Sequence, residues 1–268
     1  MAIQEFELNL SCRINKNFSA VYNYDNSPSK GKIYQVKNIK HAEFINYLST
    51  SEGIKHLFPS VRRTIGPFVD AEWVEGDLAS ANHWIDVVDL LIRIQCLKCN
   101  KKSSFDYVND LIMPRFNKAL PLVGLNKNKE IIEIIKKSSN NYSYKVSHPD
   151  LIPGNIVKRN NDYIIIDNEL LCYTRHHRID ILNMLKNITD DLRIPVLLKY
   201  LTSFHIDVNQ FKMEYSYLSS LWLAREMGSF LVKDNLPKAL EIFEKYKHGY
   251  NILPFDMEGL SSKGTQQQ

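Results

Sequence analysis

Residues 147–170, SHPDLIPGNIVKRNNDYIIIDNEL, constrain this chain more than any other stretch. Two short β-branched runs, Asn155–Val157 and Tyr163–Ile166, flank Arg159-Asn160-Asn161-Asp162, which reads as a hairpin turn. The order is therefore loop, strand, turn, strand, with Asp150 and Asn155 before the first strand and Asp167 just after the second. A hairpin brings its two ends together, so these three side chains can meet at its open end. Two of them can hold a metal through oxygen, the ligand type that Mg²⁺ prefers, while the third handles a hydroxyl proton. The plainer alternative is a hairpin whose carboxylates only cap turns.

His148-Pro149-Asp150-Leu151-Ile152-Pro153-Gly154-Asn155 resembles the kinase catalytic loop H-R-D-L-x-x-x-N, with Pro149 in place of the arginine. Ile166-Asp167-Asn168-Glu169 stands where protein kinases carry D-F-G. The form Asp-x-Glu is similar to the aminoglycoside phosphotransferase and choline kinase branch of that fold. The resemblance covers about residues 10–185. It implies an α+β, bilobal kinase-like fold, with a small antiparallel β-sheet N-lobe carrying one helix and a larger, mostly helical C-lobe. It also implies ATP and Mg²⁺, with Asp150 and His148 catalytic and Asn155 and Asp167 on the metal. No A-P-E segment follows Asp167, which argues against a protein kinase.

The bulk composition agrees with a soluble globular protein. Of 268 residues, 44% are apolar and 24% charged, enough to bury a core. A net charge of +4 leaves no nucleic-acid footprint. There is no apolar run long enough to span a membrane, and MAIQEFELNL has no basic-then-apolar signal layout, so a cytoplasmic protein is expected. Cys12, Cys96, Cys99 and Cys172 do not form a disulfide framework. Cys96-x-x-Cys99 has no second pair, and reads as two reduced thiols on a helix.

Phe6–Ile14 alternates as a half-buried strand, Ala20–Tyr24 resumes strand character, and Lys32–Ile39 follows the turn Asp25–Gly31. In the resembled family the first turn covers the phosphates of ATP and a lysine of the third strand pairs with them. Lys37 matches that lysine by position. The turn 15–19 contains none of the glycines usual there. His41–Leu57 reads as a helix broken near Ser49–Ser51. Its Glu43, or alternatively Glu52, resembles the glutamate that partners the lysine. Phe68–Glu75 reads as a strand, and Glu72, Trp73 and Val74, ahead of Gly76, resemble the hinge that hydrogen-bonds adenine. The lobes divide at Gly76, giving residues 1–76 and 77–260, with a disordered tail at 261–268.

Beyond Gly76 the pattern turns helical. Trp84–Ile94 is dense enough in apolar residues for a central helix, and Tyr107–Phe116, Lys129–Ser138, Ile194–Phe204, Tyr215–Val232 and Pro237–Tyr246 read as further helices. Leu170–His177 reads as irregular, and a helix starts at Arg178. Its Asp180 resembles the family aspartate that anchors the catalytic loop by hydrogen bonds. His176 and His177 are expected to face solvent or the acceptor, with Tyr173 and Arg175. The implied partner is a small-molecule or glycan acceptor bearing a hydroxyl, with no nucleic acid and no membrane span. A catalytically inactive, kinase-like nucleotide-binding or interaction module is the alternative. An unrelated α+β protein with an accidental loop match is a weaker one.

Overall fold

The computed structural model describes residues 19–23, 30–123, 132–133, 142–159 and 162–246. The expected strand 6–14, nearly all of the turns at 15–19 and 25–31 and of the helix 129–138, and the tail 261–268 lie outside the described residues.

The small lobe is built on side-chain alternation. Strand β1 (Ser19–Asn23) pairs antiparallel with β2 (Lys30–Gln35), placing Ala20 opposite Ile33. In β2, Lys32 and Tyr34 share one face and Ile33 and Gln35 the other. Asn38 then caps helix α1 (Ile39–Thr50), its side-chain oxygen accepting from the His41 N–H at 3.0 Å. Ala42, Phe44, Ile45 and Leu48 form the buried stripe of α1. Burying each of the three larger ones contributes roughly 2 kcal/mol. A single 3₁₀ turn at Lys55–Leu57 ends the broken helix expected from sequence. Strands β3 (Val61–Ile65) and β4 (Phe68–Glu72) complete an antiparallel sheet of order β1-β2-β4-β3.

After the hinge, β5 (Asp77–Leu78) leads to helix α2 (Trp84–Gln95), whose Trp84, Val87, Val88, Leu91 and Ile94 are all buried. A π-helical turn at Tyr107–Ile112 runs into α3 (Met113–Val123). Strand β6 (Lys145–Ser147) precedes the loop at 148–155, and the hairpin follows as β7 (Ile156–Arg159) and β8 (Asp162–Ile165). Ile156 pairs with Ile165 and Arg159 with Asp162, so the hairpin expected from the two runs forms. The segment after Asp167 is less irregular than its sequence suggests. Its Cys172–Thr174 forms β9 against β6, because Cys172 and Thr174 alternate inward where β6 offers a free edge. Helices α4 (Ile179–Lys186), α5 (Asp190–Ser203), α6 (Val208–Val232) and α7 (Leu236–Tyr246) complete the large lobe.

Two ties hold the connection between lobes against the hairpin. Asp77 and Leu78 pair with Lys158 and Val157, and the Ala79 N–H donates to the Ile156 carbonyl at 2.9 Å. Gly76 has φ +151°, and a Cβ there would lie 2.6 Å from Val157 Cγ1 and 2.8 Å from the Lys158 carbonyl oxygen. Only a residue without a side chain lets the chain cross the hairpin this closely.

Candidate active site

The loop between β6 and β7 is held from beneath by a buried carboxylate. Asp180, on α4, accepts from the Ser147 hydroxyl at 2.8 Å, the His148 N–H at 3.0 Å and Gln95 Nε2 at 3.1 Å. Burial pushes its pKa up to about 7 against the pull of those donors. Asn183, one turn later, donates to the Pro149 carbonyl at 2.7 Å. The loop is therefore pinned on both sides of His148, and Asp150 is left facing outward, about a third exposed.

Asp150 and Asn155 then meet. Asn155 Nδ2 donates to the Asp150 carbonyl at 2.8 Å and lies 3.4 Å from Asp150 Oδ2. That leaves the amide oxygen of Asn155 as its metal-binding atom. The Ile166 N–H donates to the Asn155 carbonyl at 2.9 Å, which sets Asp167 beside Asn155 at the open end of the hairpin.

The cation that reaches this end is Lys32. Its Nζ stands 3.3 Å from Asp167 Oδ1, 3.5 Å from Glu169 Oε1 and 3.5 Å from the Ile166 carbonyl. Lys37, the expected lysine, lies beyond β2 in the bend before α1. Its Nζ pairs with Asp110 at 2.6 Å and donates to the Ser104 carbonyl at 3.1 Å. The strand ends at Gln35 because the chain must turn to reach the Asn38 cap, so the inward face carries Lys32 rather than Lys37. Glu43 is brought to neither Lys32 nor Lys37. It is exposed on α1 and pairs with Lys101 at 3.4 Å, because Ala42, Phe44 and Ile45 occupy the core face. Glu52 is exposed in the turn after α1. The carboxylate beside Lys32 is instead Glu169, visible in sequence only as the last acid of Asp167-x-Glu169.

The two acids of that string are electrically distinct. Burial, a hydrogen bond shared with Asp167 and the nearby Asp167 charge push Glu169 up to about 7. For Asp167, burial works upward, but the hydrogen bond from Glu169 and the Lys32 ammonium outweigh it and hold the pKa below the ordinary carboxylate range. His148 is fully buried, and burial lowers its pKa against the pull of Asp150 and Asp167. The ring is sealed behind the loop and has no access to a bound acceptor.

Above the carboxylates a cleft lies between the lobes, lined by Lys32, Tyr34, Ala71, Glu72, Trp73, Val74 and Ile166. The cavity these residues enclose is about 40 Å³, well below the usual volume of a ligand site. All three residues expected at the hinge are on its wall. Val74 is buried against Val157 and Ile164, and Trp73 remains 39% exposed at the rim.

Sequence reasoning missed Arg225. This half-buried residue of α6 places Nη2 3.2 Å from Asp150 Oδ1 and donates through Nε to the Tyr107 hydroxyl at 2.8 Å. A lone arginine 75 positions after Asp150, in a helix without a clear polar stripe, carries no local signal. Other expectations are corrected. His176 and His177 are buried rather than solvent-facing, and His176 Nδ1 lies 2.5 Å from the Tyr217 hydroxyl. Cys96 caps the end of α2 and Cys99 lies beyond it, so the pair does not share a helical face; both are free thiols.

No cluster of three or more His, Cys, Asp or Glu side chains that could cage a metal occurs among the described residues. The amide oxygen of Asn155 and the carboxylate of Asp167 nevertheless fit Mg²⁺, which is commonly held by one or two hard oxygen ligands together with substrate phosphates and water.

No family model and no curated protein matches the sequence. Solved structures do match in fold. The streptomycin–ATP–APH(2″)-IIa ternary complex aligns at TM-score 0.57 and 15% identity, covering 94% of this chain and 98% of that one. Plasmodium vivax ethanolamine kinase aligns at 0.58 and 13%, covering 85% and 81%. Choline kinase from Cryptosporidium parvum aligns at 0.55 and 12%, covering 98% of both chains. The likeness is one of fold, a bilobal α+β arrangement with a small antiparallel sheet and a helical large lobe. Among the described residues no helix is long and apolar enough to cross a membrane.

Proposed function

We propose that this chain, built on the kinase-like fold, moves the γ-phosphoryl group of ATP to a hydroxyl of a small molecule or saccharide. The observation that carries the reading is the convergence of Asp150, Asn155, Asp167 and Lys32 beneath a cleft walled by the hinge. Adenine would lie against Ala71, Val74 and Ile166. Lys32 would draw the phosphates, in the role the sequence suggested for Lys37. Asn155 and Asp167 would hold Mg²⁺, which supplies charge neutralisation across the phosphates.

Asp150 would orient the acceptor hydroxyl and take its proton. As the acceptor oxygen bonds to the γ-phosphorus, the bond from that phosphorus to the β,γ-bridging oxygen breaks and ADP leaves. Asp180, Asn183 and the buried His148 would act through position alone, keeping Asp150 at the distance the transfer needs. Glu169 would hold the Lys32 ammonium in place, the part the sequence assigned to a helix glutamate.

The test is thermal stability with and without Mg²⁺–ATP, repeated in Asp167→Ala. A rise of several degrees that needs Mg²⁺ and vanishes in the variant supports the reading. A rise indifferent to Mg²⁺ favours the inactive nucleotide-binding module, and no rise at saturating nucleotide sinks both.

A further inference from the structure

The acceptor side of the site is positively charged. Arg225 and Gly228 lie three residues apart on α6, one face of the helix. A Cβ at Gly228 would lie 3.0 Å from Arg115 Cβ and 3.5 Å from its Cδ, so α3 crosses α6 here with the Arg115 side chain lying along that face. The Tyr107 hydroxyl, which accepts from Arg225, feels the charges of Arg225, Asp150 and Arg115 together.

The local anions do not balance these cations. Arg225 divides its charge between Asp150 at 3.2 Å and Glu226 at 2.7 Å, and Glu226 is also claimed by Lys186. Arg115 has no carboxylate within ion-pair distance among the described residues. Burial and the neighbouring Arg225 both lower the Arg115 pKa, while Tyr107 raises it. The fork of donors on a second guanidinium beside a paired one fits a planar or tetrahedral anion. A quaternary or primary ammonium placed there would face like charge.

We infer that the acceptor carries an anionic group, a phosphate or a carboxylate, which Arg115 and Arg225 receive beside Asp150. The inference rests on the phosphotransferase reading above. It also gives Arg225 a second task. An anion that draws Arg225 away from Asp150 Oδ1 frees that oxygen to accept the hydroxyl proton, so the base is released when its acceptor is seated.

The test is calorimetric titration of the full chain, saturated with Mg²⁺–ADP, using glycerol 3-phosphate, glucuronate, glucosamine and choline as probes. The expected result is binding of at least one anionic probe, with its affinity falling about tenfold or more in Arg115→Ala while Mg²⁺–ADP affinity stays unchanged. The probe that binds, phosphate-bearing or carboxylate-bearing, identifies the anion. Preference for choline or glucosamine, failure of both anionic probes on protein that binds Mg²⁺–ADP, or equal affinity in the variant would overturn the inference. Failure to bind Mg²⁺–ADP would instead overturn the phosphotransferase reading, and this inference with it.

Discussion

Lys32 sits on the inward face of β2, two residues from Tyr34, with its ammonium 5.3 Å from the centre of the Tyr34 ring and within reach of two carboxylates. Lys37 is exposed before the first helix, paired with Asp110 of the π-helical turn. Electrostatic groups aimed at transferring phosphates are commonly worth two or more powers of ten in turnover. Lys32→Ala should therefore lower kcat with ATP by about a hundredfold or more. Lys37→Ala should leave it within about threefold, since an exposed ion pair contributes little. Steady-state kinetics on the two variants decide the matter, and a larger loss at Lys37 would restore the lysine that the sequence pattern favours. The misplacement has a physical source. Alternation identifies a strand and its two faces, but the last residue of the strand depends on where the next helix cap falls, and Asn38 lies only one residue after Lys37. Glu43 was equally ambiguous, because a helix charge beside an apolar stripe can face either solvent or the site.

The hairpin was the most legible element. Its pairing follows from two short β-branched runs around a polar turn, and the meeting of Asp150, Asn155 and Asp167 follows from the pairing. The β9 strand was not legible, since three residues carry too little periodicity and its partner lies 27 positions away, Val146 against Tyr173. Nor was the tie between α1 and the segment after Asp167. His41 is fully buried, stacked on Phe105 at 4.7 Å, with Nε2 2.8 Å from the Leu171 carbonyl and Nδ1 3.4 Å from the Lys37 N–H. The neutral ring donates through Nε2 and accepts through Nδ1, and burial lowers its pKa to about 4. A depressed histidine contributes stability that is complete above the unfolded pKa of 6.5 and is lost as pH falls toward 4. That loss amounts to roughly 3 kcal/mol. Asp180, with a raised pKa, acts in the opposite sense over the same range, so the comparison must be between variants. Thermal melts of His41→Gln should show a shallower decline from pH 6.5 to 4 than the native chain; parallel curves would remove His41 from the acid response.

The whole molecule is less divided than its two lobes suggest. Tyr34, Phe44 and Leu48 of the small lobe belong to the same buried cluster as Trp84, Leu91 and Leu182 of the large one. The overall architecture was readable because the helical pattern begins just after the hinge glycine. The pairing of Arg115 with the Arg225 face was not, because it arises only when α3 and α6, more than 80 residues apart in sequence, cross at Gly228. The rim of the cleft has an optical consequence. Of the three tryptophans, Trp84 and Trp222 are 3% and 2% exposed, whereas Trp73 is 39% exposed on the wall of the cleft. A collisional quencher such as acrylamide should therefore reach Trp73 almost alone. Mg²⁺–ATP should shield it, lowering the Stern–Volmer slope, and Trp73→Phe should abolish both the quenching and the protection. Unchanged quenching at saturating nucleotide would place ATP away from this wall. The unlabelled chain thus carries its own fluorescent gauge of occupancy, readable in a cuvette before any acceptor is known.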